Sequence, residues 1–482
     1  MPRLMEWSIV AYSSMYRTKD VARIAQVHRD TLLRWLREGR IPEPTRDRNG
    51  WRVFNEAETQ AVVGYATKVT SGQTNSPLLE SKTTMATFGR LQSANWDFAD
   101  SKTLYLNHGI HPYPCKFIPQ IPNLLIQELS SLGETVLDPF CGSGTALVEA
   151  LRLGRSAIGV DASPLAALIS RVKTTVLNEE DTLALQSLRE QVARSADHSV
   201  AGQYVFFASD EQARPLSELV EREEDRHWIS EWFDVHVIEE LRLLRSACDR
   251  VQTASARAAA LVALSSIIIS VSRQDSDTRY VRVEKQIPPG EAFRRFLRSL
   301  DSVVSKSLEF AGEVVTDAKC NIHECNVLER PAVGAVDLVV SSPPYPNAYS
   351  YHLYHRSRML WLGMNPSPFK KVEIGSHRKY SSKSKTAATA ETFRQEFRQI
   401  LTWIGANLAR DRYACFLVGD SIIQGSLVKN DELIAALAEE TGFKVELNIT
   451  RNLLQTKKAF NPAIGKIHTE HVLVMRNRGH GK

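Results

Sequence analysis

The stretch 337-DLVVSSPPYPNAY-349 runs from an aspartate through apolar residues into two serines, two prolines and a tyrosine. Proline lacks the N–H that a sheet ladder needs and fixes φ, so strand interiors exclude it. The pattern predicts a buried strand that stops at Ser342 and hands the chain to a stiff corner. That corner presents a hydroxyl, free carbonyls and an aromatic face.

A second chemical stretch is 135-TVLDPFCGSGTALVEALRLGRSAIGVDASPLA-166. Val136 and Leu137 end a short apolar strand. A glycine loop, Phe140–Gly144, leads into an amphipathic helix carrying Ala146, Leu147, Ala150 and Leu151, and Gly154 and Arg155 end it. A second buried strand, 157–160, terminates in Asp161. This is the first half of a nucleotide-binding α/β unit. Glycines let backbone approach a ligand closely, and a terminal carboxylate can accept from both hydroxyls of a ribose. The loop matches neither the dinucleotide pattern nor the phosphate loop with its lysine.

The run DPFCGSGT resembles the S-adenosylmethionine loop of the amino-group (N4-cytosine/N6-adenine) DNA methyltransferases. The resemblance implies a Rossmann-like methyltransferase sheet of the α/β class, with S-adenosyl-L-methionine as cofactor. It assigns Asp138, Pro139, Phe140, Gly142, Gly144, Thr145 and Asp161 to that cofactor. Upstream, 108-HGIHPYPCKFIPQIPNLLIQEL-129 is similar to the segment before the loop in these enzymes, which adds Tyr113, Lys116 and Phe117. In such enzymes an acid near the end of a later strand faces the adenine. Here Asn326 stands in that place, and an amide can also bond an adenine edge.

In the same family, Ser342, Pro343, Pro344 and Tyr345 resemble the catalytic motif of enzymes that methylate exocyclic amines. The amine of cytosine or adenine is a poor nucleophile, because its lone pair is delocalised into the ring. Acceptors aimed at its N–H bonds favour a localised lone pair. Ser342 Oγ and the Pro343 carbonyl are the natural pair, held in place by the prolines. The Tyr345 ring can stack on the base. A base inside a duplex cannot reach such a pocket, so base flipping is implied. In the resembling family Ser-Pro-Pro-Tyr goes mainly with N4 of cytosine, and an aspartate in place of the serine mainly with N6 of adenine. The expectation is therefore a site-specific N4-cytosine DNA methyltransferase, with N6-adenine as the alternative. An RNA or protein methyltransferase, or a regulator with an inactive methyltransferase domain, stand behind these. C5 methylation is disfavoured, because it needs a Pro-Cys nucleophile where this chain has Pro-Pro-Tyr. A cognate restriction endonuclease or other defence-system protein is the kind of partner the resemblance admits.

The frame around these motifs is 482 residues long, 43% hydrophobic and 24% charged, which suits a globular protein of two or three domains. No apolar run reaches the roughly 18 residues of a membrane span, and the N-terminus has no signal pattern. The expected location is cytoplasmic, on the nucleoid. The longest apolar run, 259–271, reads as a buried helix or strand. Six dispersed cysteines read as reduced thiols, and 320-CNIHEC-325 lacks the second ligand pair of a structural zinc.

The net charge of +5 is concentrated in residues 17–52, which hold ten basic and five acidic side chains. There, 16-YRTKDVARIAQVHRDTLLRWLREGRIPEP-44 predicts two short helices joined by a turn. Thr18 is the expected first N-cap, Leu32, Leu33 and Leu36 face inward, and Gly39 is the stop. The alternating 50-GWRVFNEAE-58, with Trp51 and Val53, predicts a small wing. This segment resembles the MerR-like winged helix-turn-helix, which implies Arg29, Thr31, Arg34 and Trp35 on a DNA-recognition helix and Arg52 on the wing. A second basic cluster, 370-KKVEIGSHRKYSSKSK-385, adds Lys370, Lys371, Arg378 and Lys379 as phosphate contacts with double-stranded DNA.

The expected domains are thus residues 1–70, a Ser/Thr/Gly-rich linker 71–100, and a methyltransferase domain 101–482 interrupted by a helical insertion 176–312. The insertion contains helices near 236–251 and 292–310, with Trp228, Trp232 and Phe233 in its core. Arg273, Asp275 and Arg279 either face the cleft or pair among themselves. Target reading falls to the insertion or to the N-terminal module. Strand character is expected within 313–331, helices at 351–364, 391–409 and 430–440, and strands at 412–420, 443–450 and 469–476.

Overall fold

The computed structural model describes residues 16–25, 27, 29–37, 40–46, 52–70, 88–99, 101–199, 214–277, 279–314, 317–346, 349–381, 387–453 and 469–479. The chain divides into two compact units, 1–87 and 88–482.

In the first unit, β1 (Tyr16–Arg17), α1 (Thr18–Ile24), α2 (Arg29–Arg37), β2 (Thr45–Arg46), β3 (Arg52–Phe54) and α3 (Glu56–Thr70) follow in order. The strands form a small antiparallel sheet, β1-β3-β2. Leu32, Trp35 and Leu36 share one face of α2, as the i, i+3, i+4 spacing requires. All three are buried with Val21, Ile41, Phe54 and Val62. Arg17 rather than Thr18 occupies the cap of α1, its N–H donating to Asp20 Oδ2 at 3.3 Å. Gly39 and Trp51 lie outside the described residues.

The second unit begins at Phe88, inside the stretch whose composition reads as linker. Residues 88–93 are helical, and Leu91 and Trp96 are buried against the sheet core, because two large apolar side chains outweigh their polar neighbours. Residues 71–87 lie outside the described residues.

The strands of this unit are β4 (Thr135–Asp138), β5 (Ser156–Asp161), β6 (Gln274–Ser276), β7 (Arg279–Arg282), β8 (Cys320–Glu324), β9 (Val336–Ser341), β10 (Leu408–Gly419), β11 (Ser421–Ile423), β12 (Ser426–Val428), β13 (Phe443–Asn452) and β14 (Thr469–Asn477). Seven of them form one sheet in the order β13-β14-β10-β9-β4-β5-β8. Neighbours among β8, β5, β4, β9 and β10 pair in parallel, while β14 runs antiparallel to both β10 and β13. Side chains alternate between the faces, as a pleated strand demands. Leu137, Val339 and Phe416 pack under the helices Ala390–Asn407 and Asn430–Glu440. Val136, Leu338, Val340 and Cys415 pack under the helices Gln120–Leu129 and Thr145–Arg152.

Chain order runs outward from β4 through β5 to β8, then returns to β9 on the other side of β4. The switch point therefore lies between β4 and β9, where open α/β sheets form a crevice at the carboxyl ends of their strands. Both chemical motifs leave the sheet there.

The insertion is helical in its described parts, with helices Glu179–Ser199, Leu216–Leu219, Glu223–Trp232, Val235–Asp249, Ala254–Ile267 and Glu291–Ala311, plus the β6–β7 hairpin. Its core, in which Trp228, Trp232 and Phe233 are buried, is continuous with Leu165, Ile169 and Val172 before it and with Met359–Leu362 after it. The fully buried Glu240 accepts from the N–H groups of Gly290 (2.6 Å) and Ala292 (3.0 Å), which satisfies the start of the last long helix. The expected helix 351–364 is two short pieces, Tyr351–Tyr354 and Arg356–Trp361. The break lets His355 stack on Tyr113 at 4.9 Å.

Candidate active site

A cleft of about 380 Å³ opens at the switch point. Its floor is the glycine loop. Asp138, at the end of β4, is buried, and its Oδ1 accepts from the Phe140 N–H at 3.1 Å. Gly142 N–H donates to Asp161 Oδ2 at 2.9 Å, and Ser163 N–H donates to Asp161 Oδ1 at 2.8 Å. The carboxylate that ends β5 thus shapes the loop that leaves β4. Burial pushes the Asp161 carboxyl up to about 6 against these two donors, with Glu373 and Glu324 adding to the rise. Burial likewise pushes Asp138 up to about 7, opposed by its bonds from Ser341 and Phe140.

Gly144 is the cap of the helix Thr145–Arg152 and takes φ +79°. A Cβ there would stand 2.9 Å from Ser170 Oγ and 3.2 Å from Ser170 Cα. Gly144 therefore lies behind the loop against the helix Pro164–Thr174, and it does not line the cleft, in contrast to the expectation. Pro139, Phe140, Gly142 and Thr145 do line it.

The upstream segment closes one side. Tyr113, Lys116 and Phe117 line the cleft. The Tyr113 ring stacks on Tyr351 at 5.8 Å. Lys116 Nζ donates to the His108 carbonyl at 3.0 Å, so its ammonium turns inward, and burial lowers it to about 8. This segment is anchored by Glu149, a fully buried carboxylate on the glycine-loop helix. Glu149 accepts from His108 Nε2 (2.8 Å), Tyr105 Oη (2.6 Å) and Asn123 Nδ2 (2.6 Å). Burial alone would raise its pKa, but His108, Arg152 and Tyr105 together draw it down to about 2.

Asn326 lines the far side. Its Oδ1 accepts from the Leu328 N–H (3.0 Å), and its Nδ2 donates to the Val372 carbonyl (3.3 Å). Both ends of the amide are thus engaged within the chain, and the expected adenine contact would use what capacity remains.

The corner forms the roof. β9 ends at Ser341, and Ser342, Pro343, Pro344 and Tyr345 all line the cleft. Ser341 Oγ donates to Asp138 Oδ1 at 2.6 Å. Tyr345 Oη donates to Glu470 Oε1 at 3.1 Å, and Arg451 Nη1 donates to Glu470 Oε2 at 2.9 Å. Gly375, at φ +74°, lies against the corner. A Cβ there would stand 3.0 Å from the Tyr345 carbonyl oxygen. Only glycine lets that segment approach the corner so closely.

Several cleft residues carried no local signal: Cys115, Tyr349, Tyr351, Glu373, Arg451 and Glu470. Arg451 and Glu470 sit on the closing strands and read there as surface charges. Glu373 lies inside the basic cluster. It accepts from the Tyr351 N–H and pairs with His352. Lys370, Lys371 and Arg378 are exposed or half-buried beside Phe369 and Ile374, which line the cleft, while Lys379 pairs with Glu396 at 2.6 Å. Arg273, Asp275 and Arg279 do not line it. Arg273 pairs with Asp234 at 2.6 Å, and Arg279 stands 3.8 Å from Asp275.

In the first unit, Arg34 is exposed and Arg29 and Thr31 are half-buried. Arg52 pairs with Glu43 at 2.7 Å. Trp35 is not available to DNA. It is 2% exposed and packs edge-on against Tyr65 at 4.9 Å, because its helical spacing puts it on the core face.

Known proteins resemble parts of this chain. A DNA methylase family model matches residues 37–170, and a MerR family regulatory protein model matches residues 17–54. A Type II methyltransferase of Methanocaldococcus jannaschii is 32% identical over 126 residues, 26% of this chain and 22% of that protein. A Type II methyltransferase of Kocuria varians is 25% identical over 284 residues, 55% of this chain and 60% of that one. Another, from Geobacillus stearothermophilus, is 24% identical over 301 residues, 55% of each. The chain thus spans less than two thirds of the length of these relatives. No helix among the described residues is long and apolar enough to cross a membrane. The family and the sheet together imply S-adenosylmethionine, and the cleft fits it: a glycine loop, a strand-end carboxylate and aromatic walls meet in one crevice. The chain thus carries a segment similar to the N4/N6 DNA methylase family and, at 17–54, one similar to the MerR regulators, and over about half its length it resembles Type II DNA methyltransferases.

Proposed function

We propose that the protein is a site-specific DNA methyltransferase that transfers a methyl group to the exocyclic N4 amine of a flipped cytosine. The observation that supports this most is the shared cleft. The Ser342–Tyr345 corner and the loop residues Phe140–Ser143 follow adjacent parallel strands and line one crevice.

When bound, S-adenosylmethionine supplies an electrophilic methyl group. Tyr113, Phe117, the glycine loop and Asp161 would hold it, with Asp161 accepting from the ribose. Ser342 Oγ and the Pro343 carbonyl accept from the target amine and orient its nitrogen. The Tyr345 ring stacks on the base, and Glu470 fixes the ring through its hydroxyl. Preorganisation of this kind lowers the barrier without any rearrangement at the moment of reaction.

Serine at the first position of the corner supports cytosine over adenine. The MerR-like unit and the basic Lys370, Lys371 and Arg378 beside the cleft support DNA as the substrate. The decisive experiment is transfer of labelled methyl groups to DNA, followed by digestion to nucleosides. N4-methylcytosine is expected. N6-methyladenine in its place would overturn the choice of base, and label in tRNA but not DNA would overturn the substrate.

A further inference from the structure

Methylation of an exocyclic amine releases a proton, and the corner has no group able to keep it. A serine hydroxyl can pass a proton on, but at neutral pH it cannot hold one. A carboxylate hydrogen-bonded to the corner itself is Glu470. It lies on β14, two strands from the corner, where Tyr345 crosses the end of β10 to reach it. Stacking needs only the tyrosine ring, yet the hydroxyl is held on a carboxylate at 3.1 Å. Ser342, on the same corner, opposes the rise that burial imposes on the Tyr345 hydroxyl. Ser342, Tyr345 and Glu470 all line the cleft, and the last two are joined by a hydrogen bond.

We propose that Glu470 is the terminal acceptor of the proton released by methyl transfer, reached through Ser342 and Tyr345. This rests on amine methylation at the corner. The nitrogen forms its bond to the methyl carbon as the sulfur–carbon bond breaks, with that electron pair remaining on sulfur. The nitrogen then gives a proton to Ser342 Oγ, the Ser342 proton passes to Tyr345 Oη, and the Tyr345 proton passes to Glu470. Ser342 and Tyr345 end as they began. One positive charge on sulfur and one negative charge on Glu470 both disappear, so the buried cleft keeps its net charge.

The surroundings of Glu470 suit the role. Burial raises its carboxyl above the ordinary range, opposed by Arg451 directly across the β13–β14 pair and by the Tyr345 bond. Among the described residues, Cys115 is a further titratable group close to it. Glu470 is thus a base held above the ordinary carboxylate range by burial, while Arg451 holds its geometry.

The test is single-turnover methyl transfer to DNA as a function of pH in the full chain, for the unaltered protein, Glu470→Gln and Tyr345→Phe. Cofactor affinity is measured by calorimetry on the same samples. The unaltered rate should rise with pH through one ionisation above the ordinary carboxylate range. Both variants should lose about 10²-fold or more and lose that pH step, as removal of a positioned base does. Cofactor affinity should change less than about threefold, well under that rate effect. Without cofactor or DNA, infrared difference spectra of the unaltered protein against Glu470→Gln should show a carboxyl band titrating in the same range. A Glu470→Gln profile that keeps its step, or a parallel loss of cofactor binding in both variants, overturns the relay and leaves Glu470 a packing residue. No label in DNA from the unaltered protein at any pH overturns amine methylation of DNA itself, and the relay with it.

Discussion

Ser341 Oγ donates to Asp138 Oδ1 at 2.6 Å, joining two residues 203 positions apart in sequence. One ends the strand before the cofactor loop, the other ends the strand before the corner. Both are buried, at 0% and 2% exposure, so the bond is not diluted by water. The loop and the corner are fixed to each other by this hydrogen bond.

Ser341→Ala should therefore cost stability and activity together. Losing a buried hydrogen bond to a carboxyl group costs about 1.5–3 kcal/mol. Urea denaturation should show the loss, and single-turnover transfer should slow, while Ser341→Thr, which keeps the hydroxyl, recovers much of both. Unchanged stability in Ser341→Ala would show that the bond does not hold the two strand ends.

Gly144→Ala should destabilise by about 1–3 kcal/mol, from the left-handed backbone and the clash with Ser170. Gly89→Ala is the control. A Cβ there meets nothing within 4 Å, the residue is helical, and the change should be neutral or stabilising by up to about 1 kcal/mol. Thermal denaturation of the two variants side by side separates them.

The Glu149 carboxyl, ordinarily at 4.5, is drawn down to about 2 in the folded protein. A depressed acid contributes stability that is present above the unfolded pKa and lost as pH falls through the folded one. Stability should therefore decline as pH falls from 4.5 to about 2. Glu149→Gln should be less stable near neutrality and flatter over that window, as read by denaturation across pH. A parallel pH dependence in the two proteins would remove Glu149 from the explanation.

For the MerR-like unit, Arg29→Ala with Arg34→Ala should weaken DNA binding. For every phosphate that the variant no longer neutralises, the slope of log affinity against log salt should fall by about 1. Trp35→Ala should instead unfold the unit, since Trp35 is core. Unaltered salt dependence in the double arginine variant would sink the recognition-helix assignment. Deletion of residues 1–70 then asks which half reads the target. Retained sequence specificity assigns reading to the catalytic unit.

The sequence by itself determined the motifs and the elements that carry them. Proline chemistry ended β9 at the corner, glycine spacing marked the loop, and apolar patterns located β4, β5, β9 and β10. These are local effects, in which neighbouring residues decide φ, ψ and which side chain faces inward. Helical periodicity likewise placed Leu32 and Leu36 inward. Trp35 was assigned to DNA by resemblance, although the same spacing puts it on the core face. What only the tertiary structure decided is which distant residues share the cleft. Arg451 and Glu470 lie on strands whose sequence reads as ordinary alternation. They reach Tyr345 because β14 pairs with β10, two strands from the corner. Glu149 looks like a surface helix acid until His108 and Tyr105 fold over it. In each case the deciding partners are far apart in the chain, and strand order, which no local pattern encodes, brings them together.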